Sequence, residues 1–201
     1  MKNLVILGVP RAGKSTLAYM CARQLAVDGS PAALVSADAL LGGLMAHRNS
    51  FFWRVFVRGL RHLFPSLKRA SEQRLHRNMA RFIKRFFKEM SDEIPIVFEG
   101  AYIDPNMAKK LFDLDKVKIV VVGYPNANAD DKVADIRKFD KDTPISKLDD
   151  QHVKQRISRY IKTSKKYMEQ SQGHFLFLDT SSDYHGVLDN FAKNVKSYLE
   201  D

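Results

Sequence analysis

The run Gly8-Val9-Pro10-Arg11-Ala12-Gly13-Lys14-Ser15 matches G-x-x-x-x-G-K-[ST] at every fixed position, and Thr16 follows it. Residues of these types at this spacing suit the holding of phosphate. The glycines let the backbone curl so that successive N–H groups point inward at anionic oxygens. The helix that follows turns its unsatisfied N–H groups and positive end toward the same place. Lys14 can carry its ammonium to the β- and γ-phosphates, and the Ser15 hydroxyl can ligate Mg²⁺. The competing reading is a chance glycine-rich turn. Context argues against it, because the motif directly follows an apolar run and directly opens a helix-forming one. The expected ligands are ATP, or GTP, with Mg²⁺, held on Gly8, Arg11, Ala12, Gly13, Lys14, Ser15 and Thr16.

Two acids follow apolar runs further along. Asp38 stands just past the run ending at Val35, where the carboxyl ends of strands line the ligand crevice of an open α/β sheet. There it could take the proton of an attacking hydroxyl or anchor Mg²⁺; equally, it could cap the next helix. Glu99 lies between Phe98 and Gly100, at the position for an acid that orients the metal's shell. A buried structural acid is the alternative, although burial without a partner is costly.

The elements that must position these groups follow from hydrophobic patterning. Short apolar runs at 2–7, 32–35, 94–98, 117–122 and 175–178 read as strands, with Pro95 fixing the start of the third. Continuous runs of this kind suit strands covered on both faces of a parallel sheet. Helical spacing of Leu17, Met20, Cys21 and Leu25 predicts a helix over 14–27, closed by the turn Asp28-Gly29-Ser30-Pro31. A last helix is expected over 184–199. Strands alternating with helices indicate an α/β fold. Two helical interruptions, at about 40–91 and 127–172, separate the strands.

In this 201-residue chain the net charge of +10 is concentrated. From His47 to Met90 there are twelve Lys or Arg residues against Glu72 and Glu89, leaving 21 basic and 21 acidic residues elsewhere. The length suits one buried core rather than two independent domains. Cys21 is the lone cysteine and reads as a core residue, while His47, His62, His76, His152, His174 and His185 show no metal-ligand spacing. With no signal peptide and no apolar stretch of membrane-spanning length, a reducing cytoplasm is the expected setting.

With the phosphate loop, Asp38 and Phe98-Glu99-Gly100 together, the chain resembles the adenylate-kinase-like group of P-loop kinases. That group includes shikimate and gluconate kinases, uridine kinase and the zeta-toxin-type phosphotransferases. The resemblance implies a three-layer P-loop NTPase fold: a five-stranded parallel sheet with the P-loop strand in the middle, a helical insert and a helical lid. It implies an ATP- and Mg²⁺-dependent transfer of phosphate to a small molecule. Arg137, and Arg156 or Arg159, become candidate lid arginines that neutralise charge on the transferred group. A solvated helix face is the simpler reading of each. Thr180, in Asp179-Thr180-Ser181, matches the stretch near the nucleotide base, or merely caps the final helix. Asp38 lacks the neighbouring acid or arginine of many zeta-toxin-like enzymes, and the segment 40–91 matches no known pocket.

The basic insert admits several partners. Its arginines could hold an anionic acceptor, contact nucleic-acid phosphates, or, with Phe51-Phe52-Trp53, lie on a membrane surface. They could also be the solvated sides of two amphipathic helices, with Phe82, Ile83, Phe86 and Phe87 on the buried side of the second. An anionic small molecule is the favoured partner. A non-kinase NTPase coupled to nucleic acid through the insert is the rival.

Overall fold

The computed structural model describes residues 1–37, 39–40, 82–89, 94–100, 103–140 and 143–201. Asp38 and nearly all of the 40–91 insert therefore lie outside the described residues. Five strands, β1 (Asn3–Gly8), β2 (Ala33–Ser36), β3 (Ile96–Gly100), β4 (Val117–Gly123) and β5 (Leu176–Asp179), form one parallel sheet in the order β2-β3-β1-β4-β5. The phosphate-loop strand β1 is central, with β3 on one side and β4 on the other.

Side chains of a strand alternate between faces, and this divides the core in two. Leu4, Ile6, Val97, Val120 and Val122 point to one side, where they pack with α1 (Lys14–Val27), α6 (Tyr184–Lys193) and α7 (Val195–Glu200). Val5, Leu7, Ile96, Phe98, Ile119 and Val121 point to the other, toward α2 (residues 82–89) and α3 (Pro105–Leu111). Phe87 of α2 meets Phe98 and Phe112 edge to face at 5.5 and 5.1 Å between ring centroids. Ile83 and Phe87 are buried, Phe82 and Phe86 half-buried, and Lys84, Arg85 and Lys88 exposed. For this part of the insert the amphipathic reading describes the helix. The segment between β4 and β5 holds α4 (Ala129–Phe139) and α5 (Asp150–Ser171), joined by a small core of Ile136, Ile145, Val153 and Ile157.

The central strands β1, β3 and β4 are covered on both faces, as their continuous apolar runs require. The outer strands are not: Leu34 of β2 is 47% exposed and Leu176 of β5 is 40%. The strand ends fall one or two residues later than the runs suggest, so that Glu99 and Gly100 belong to β3 itself. The expected final helix is two, broken at Asn194, whose side-chain amide donates to the Asn190 carbonyl at 2.8 Å and competes for the helical ladder. Helix α3 is only seven residues long, too short for a clear helical period, yet it carries a start signal. Asp104 accepts a bond from the Met107 N–H at 2.7 Å and Pro105 follows.

Candidate nucleotide-binding site

The loop between β1 and α1 reverses its backbone at two positions. Arg11 and Gly13 both take positive φ, 67° and 96°. For arginine that conformation is strained, costing of the order of 1–2 kcal/mol; left-handed residues of this kind belong to the backbone pattern of anion-binding nests, while the Ala12 N–H turns back to the Val9 carbonyl at 3.4 Å. Gly8 is required for a different reason. It pairs with Val122 in the sheet, and a Cβ at Gly8 would stand 2.0 Å from the Val122 carbonyl oxygen. At Gly13 a Cβ would meet the Tyr184 ring at 2.8 Å.

Helix α1 opens on Gly13 without a side-chain cap, whereas Asp104, Asn128, Asp149 and Asp183 cap α3, α4, α5 and α6. Its first turn holds no acid. No side-chain cap closes the start of α1 among the described residues, an arrangement that suits an anion at the positive end of a helix. Lys14 is 6% exposed, and its Nζ donates to the Val9 carbonyl at 2.9 Å, folding the ammonium back across the loop. Ser15 and Thr16 are exposed, and the Tyr184 hydroxyl stands 3.4 Å from Thr16 Oγ1.

Glu99 sits on β3, next to the loop strand, and is 3% exposed. Its Oε1 accepts a 2.5 Å bond from the Ser36 hydroxyl, while Oε2 is buried with no hydrogen-bond partner among the described residues. An orphaned buried carboxylate oxygen is costly unless something electropositive reaches it. A hydrated Mg²⁺ is a group of that kind, so the Glu99 oxygen suits this metal, and the exposed Ser15 hydroxyl at the head of α1 is an oxygen donor of the type it takes.

The loop is braced from behind. Tyr124, fully buried, donates its hydroxyl to the Pro10 carbonyl at 2.9 Å, and burial pushes its phenol well above the ordinary tyrosine range. Thr180 is 1% exposed; its hydroxyl lies 3.1 Å from the Gly123 carbonyl and 3.4 Å from that of Ala12. A nucleotide contact through that hydroxyl would have to displace these bonds. Asp179 is satisfied within its own turn by Ser181 and by Asn126.

The candidate lid residues are spread out. Arg137 donates to Asp150 at 2.8 Å and to the carbonyls of Ser146 and Leu148 at 2.6 and 2.5 Å, tying α4 to the start of α5. In this conformation its guanidinium is engaged within the α4–α5 segment. Arg156 and Arg159 are exposed on α5. One contact between the 127–172 segment and the phosphate loop is an ion pair of Arg11 with Asp140, the residue that follows the last turn of α4. Sequence reasoning did not find Asp140, Ser36 or Tyr184, because their partners become neighbours only across strands or between loops.

A central strand feeding a phosphate loop, in a parallel sheet of order 2-3-1-4-5 with helices on both faces, defines the fold of the adenylate-kinase-like P-loop kinases. Solved structures bear this out: the chain is similar over its full length to shikimate kinase from Bacteroides thetaiotaomicron, with TM-score 0.51, 16% identity and 99% of that chain covered. It is likewise similar to shikimate kinase from Acinetobacter baumannii in complex with shikimate, with TM-score 0.58, 13% identity and 93% of that chain covered. No protein-family model and no curated protein matches the sequence. At these identities the likeness establishes the fold.

Proposed function

We propose that this chain is an ATP- and Mg²⁺-dependent phosphotransferase acting on an anionic small molecule. The observation that carries the proposal is the buried Glu99 carboxylate, with one oxygen unpartnered among the described residues, on the strand beside an open phosphate loop. A phosphate site alone would serve a binding protein; an acid set for a metal adds the means of transfer.

The N–H groups of residues 8–16 would hold the nucleotide's phosphates, and Lys14, released from the Val9 carbonyl, would reach the β- and γ-phosphates. Ser15 and Glu99 would hold Mg²⁺, with Asp38 as a further anchor if it does not serve as base. The metal supplies charge neutralisation at the phosphate oxygens. An acceptor hydroxyl attacks the γ-phosphorus while the bond to the bridging oxygen of the leaving ADP breaks. Asp38 takes the hydroxyl proton in that arrangement. Arg137 or another arginine of the lid neutralises charge on the transferred group once its present bonds are exchanged for phosphate. The arginines of 47–90 suit a carboxylated or phosphorylated acceptor. Shikimate, a carboxylate bound in one of the compared structures, is the first acceptor to try.

Calorimetric titration with ATP tests the site. Wild-type protein should bind ATP more tightly with Mg²⁺ than without, and Glu99→Gln should reduce that difference. Equal affinity with and without the metal would remove Glu99 from the proposal.

The rival, an NTPase acting on nucleic acid, draws on one described feature. Arg156, Arg159, Lys162, Lys165 and Lys166 are exposed along α5. Phosphate release that rises with added oligonucleotide and falls with salt would favour it.

A further inference from the structure

Resting on the phosphotransferase proposal, we infer that Ser36 is a positioning residue. It engages Oε1 of Glu99 so that Oε2 is the oxygen more readily presented, and thereby biases the metal site toward Mg²⁺ over Ca²⁺.

The two residues are register partners across the β2–β3 ladder. A carboxylate offers two oxygens, and its last torsion is soft, so an unrestrained glutamate can meet a cation with either oxygen or with both. Here the Ser36 hydroxyl engages Oε1 at 2.5 Å, and among the described residues Oε2 accepts no bond. The hydroxyl is itself directed. The Ala39 N–H approaches Ser36 Oγ at 3.4 Å, so that oxygen accepts from the backbone while its proton is given to the acid. The two strand ends cannot easily part or slide. A Cβ at Gly100 would stand 2.7 Å from the Ala37 Cβ, which shows how closely the backbones approach just beyond the pair.

The consequence follows from the coordination habits of the two ions. Ca²⁺ takes six to eight oxygens and readily accepts a carboxylate through both. Mg²⁺ is smaller, keeps several waters and is served by single carboxylate oxygens. A glutamate fixed by a serine, with one oxygen already engaged, offers what Mg²⁺ uses and makes two-oxygen ligation, which Ca²⁺ prefers, less favourable. Nothing in the strand pattern announces this, because Ser36 reads in sequence as an ordinary polar residue at the end of an apolar run.

Mn²⁺ serves as the spectroscopic probe, read by its paramagnetic resonance in protein saturated with β,γ-methylene-ATP and then displaced by Mg²⁺ or Ca²⁺. Ser36→Ala should weaken Mn²⁺ and Mg²⁺ binding by roughly tenfold or more, the usual effect of removing an outer-shell partner, while Ca²⁺ loses less. The preference for Mg²⁺ should shrink accordingly, and Ser36→Thr, which keeps the hydroxyl, should restore it. If Ser36→Ala does not fold, Ser36→Cys, a weaker donor of similar size, carries the same expectation. A folded Ser36→Ala or Ser36→Cys protein with wild-type metal affinity and selectivity would overturn the role of Ser36 and leave the phosphotransferase proposal standing. Wild-type protein that adds nothing to the Mn²⁺ affinity of the free nucleotide would overturn both.

Discussion

Lys14 and Glu99 are both buried, and each has its charged end directed by a neighbour: the Val9 carbonyl for one and the Ser36 hydroxyl for the other. Preformed groups of this kind lose little freedom when a ligand arrives. Removing the ammonium by Lys14→Ala should weaken ATP by about tenfold or more, since hydrogen bonds to charged groups contribute roughly 1.5–3 kcal/mol each. Equilibrium binding measures this, with circular dichroism to confirm that the variant folds. Asp38→Asn carries a different expectation: ATP binding close to wild type with transfer lost, measured as turnover against affinity. Unchanged turnover would reduce Asp38 to a helix cap. Lys14 stood out in the sequence through its motif, and Asp38 and Glu99 as acids that follow apolar runs. Ser36 and Asp140 did not, since each acquires its role from a partner 63 positions or more away in the chain.

At the scale of elements, the site depends on how β1 ends and on what holds the neighbouring helices to the sheet. Gly8→Ala would drive a methyl group into the Val122 carbonyl at a positive φ, so both sterics and backbone conformation oppose it. The expected result is a protein of lowered melting temperature with ATP binding lost, seen by thermal unfolding and titration together. Helix α2 is fastened through Phe87, which fills the angle between Phe98 and Phe112. Phe87→Ala should destabilise the protein by about 3–5 kcal/mol, the usual range for a buried phenylalanine, measured by denaturant unfolding. The central strands and α1 were readable because long apolar runs and strict periodicity leave little choice. The split of the last helix was not readable, because one asparagine side chain decided it against a continuous pattern. The exposure of β2 and β5 was hidden for a related reason: sequence order does not say which strands become edges.

For the whole molecule, Cys21 reports on folding and on ligand alike. It is wholly buried on α1, and burial pushes its thiol from 9.0 up to about 12. The folded chain keeps this proton up to about pH 12, whereas the unfolded chain releases it near 9. Unfolding therefore releases a proton inside that window, and this group's contribution makes stability fall as the pH rises through it. A thiol reagent at neutral pH should label Cys21 only through unfolding or local opening. ATP with Mg²⁺ should slow that labelling by mass action in wild-type protein and not in Lys14→Ala. Asp149 behaves in the opposite sense. Its carboxyl is held below 3.8 by the backbone N–H and then the side chain of His152, so its support for the start of α5 is present at neutral pH and lost in acid. Among the described residues no helix is long and apolar enough to cross a membrane.

Phosphoryl transfer is the property on which the proposal turns. The direct measurement is incubation with γ-labelled ATP, Mg²⁺ and fractionated small metabolites, shikimate among them, with Lys14→Ala as the blank. Label should appear on an anionic small molecule with the wild-type protein and be absent from the blank. Label found only as inorganic phosphate, whatever the fraction supplied, would contradict a phosphotransferase and leave an NTPase in its place.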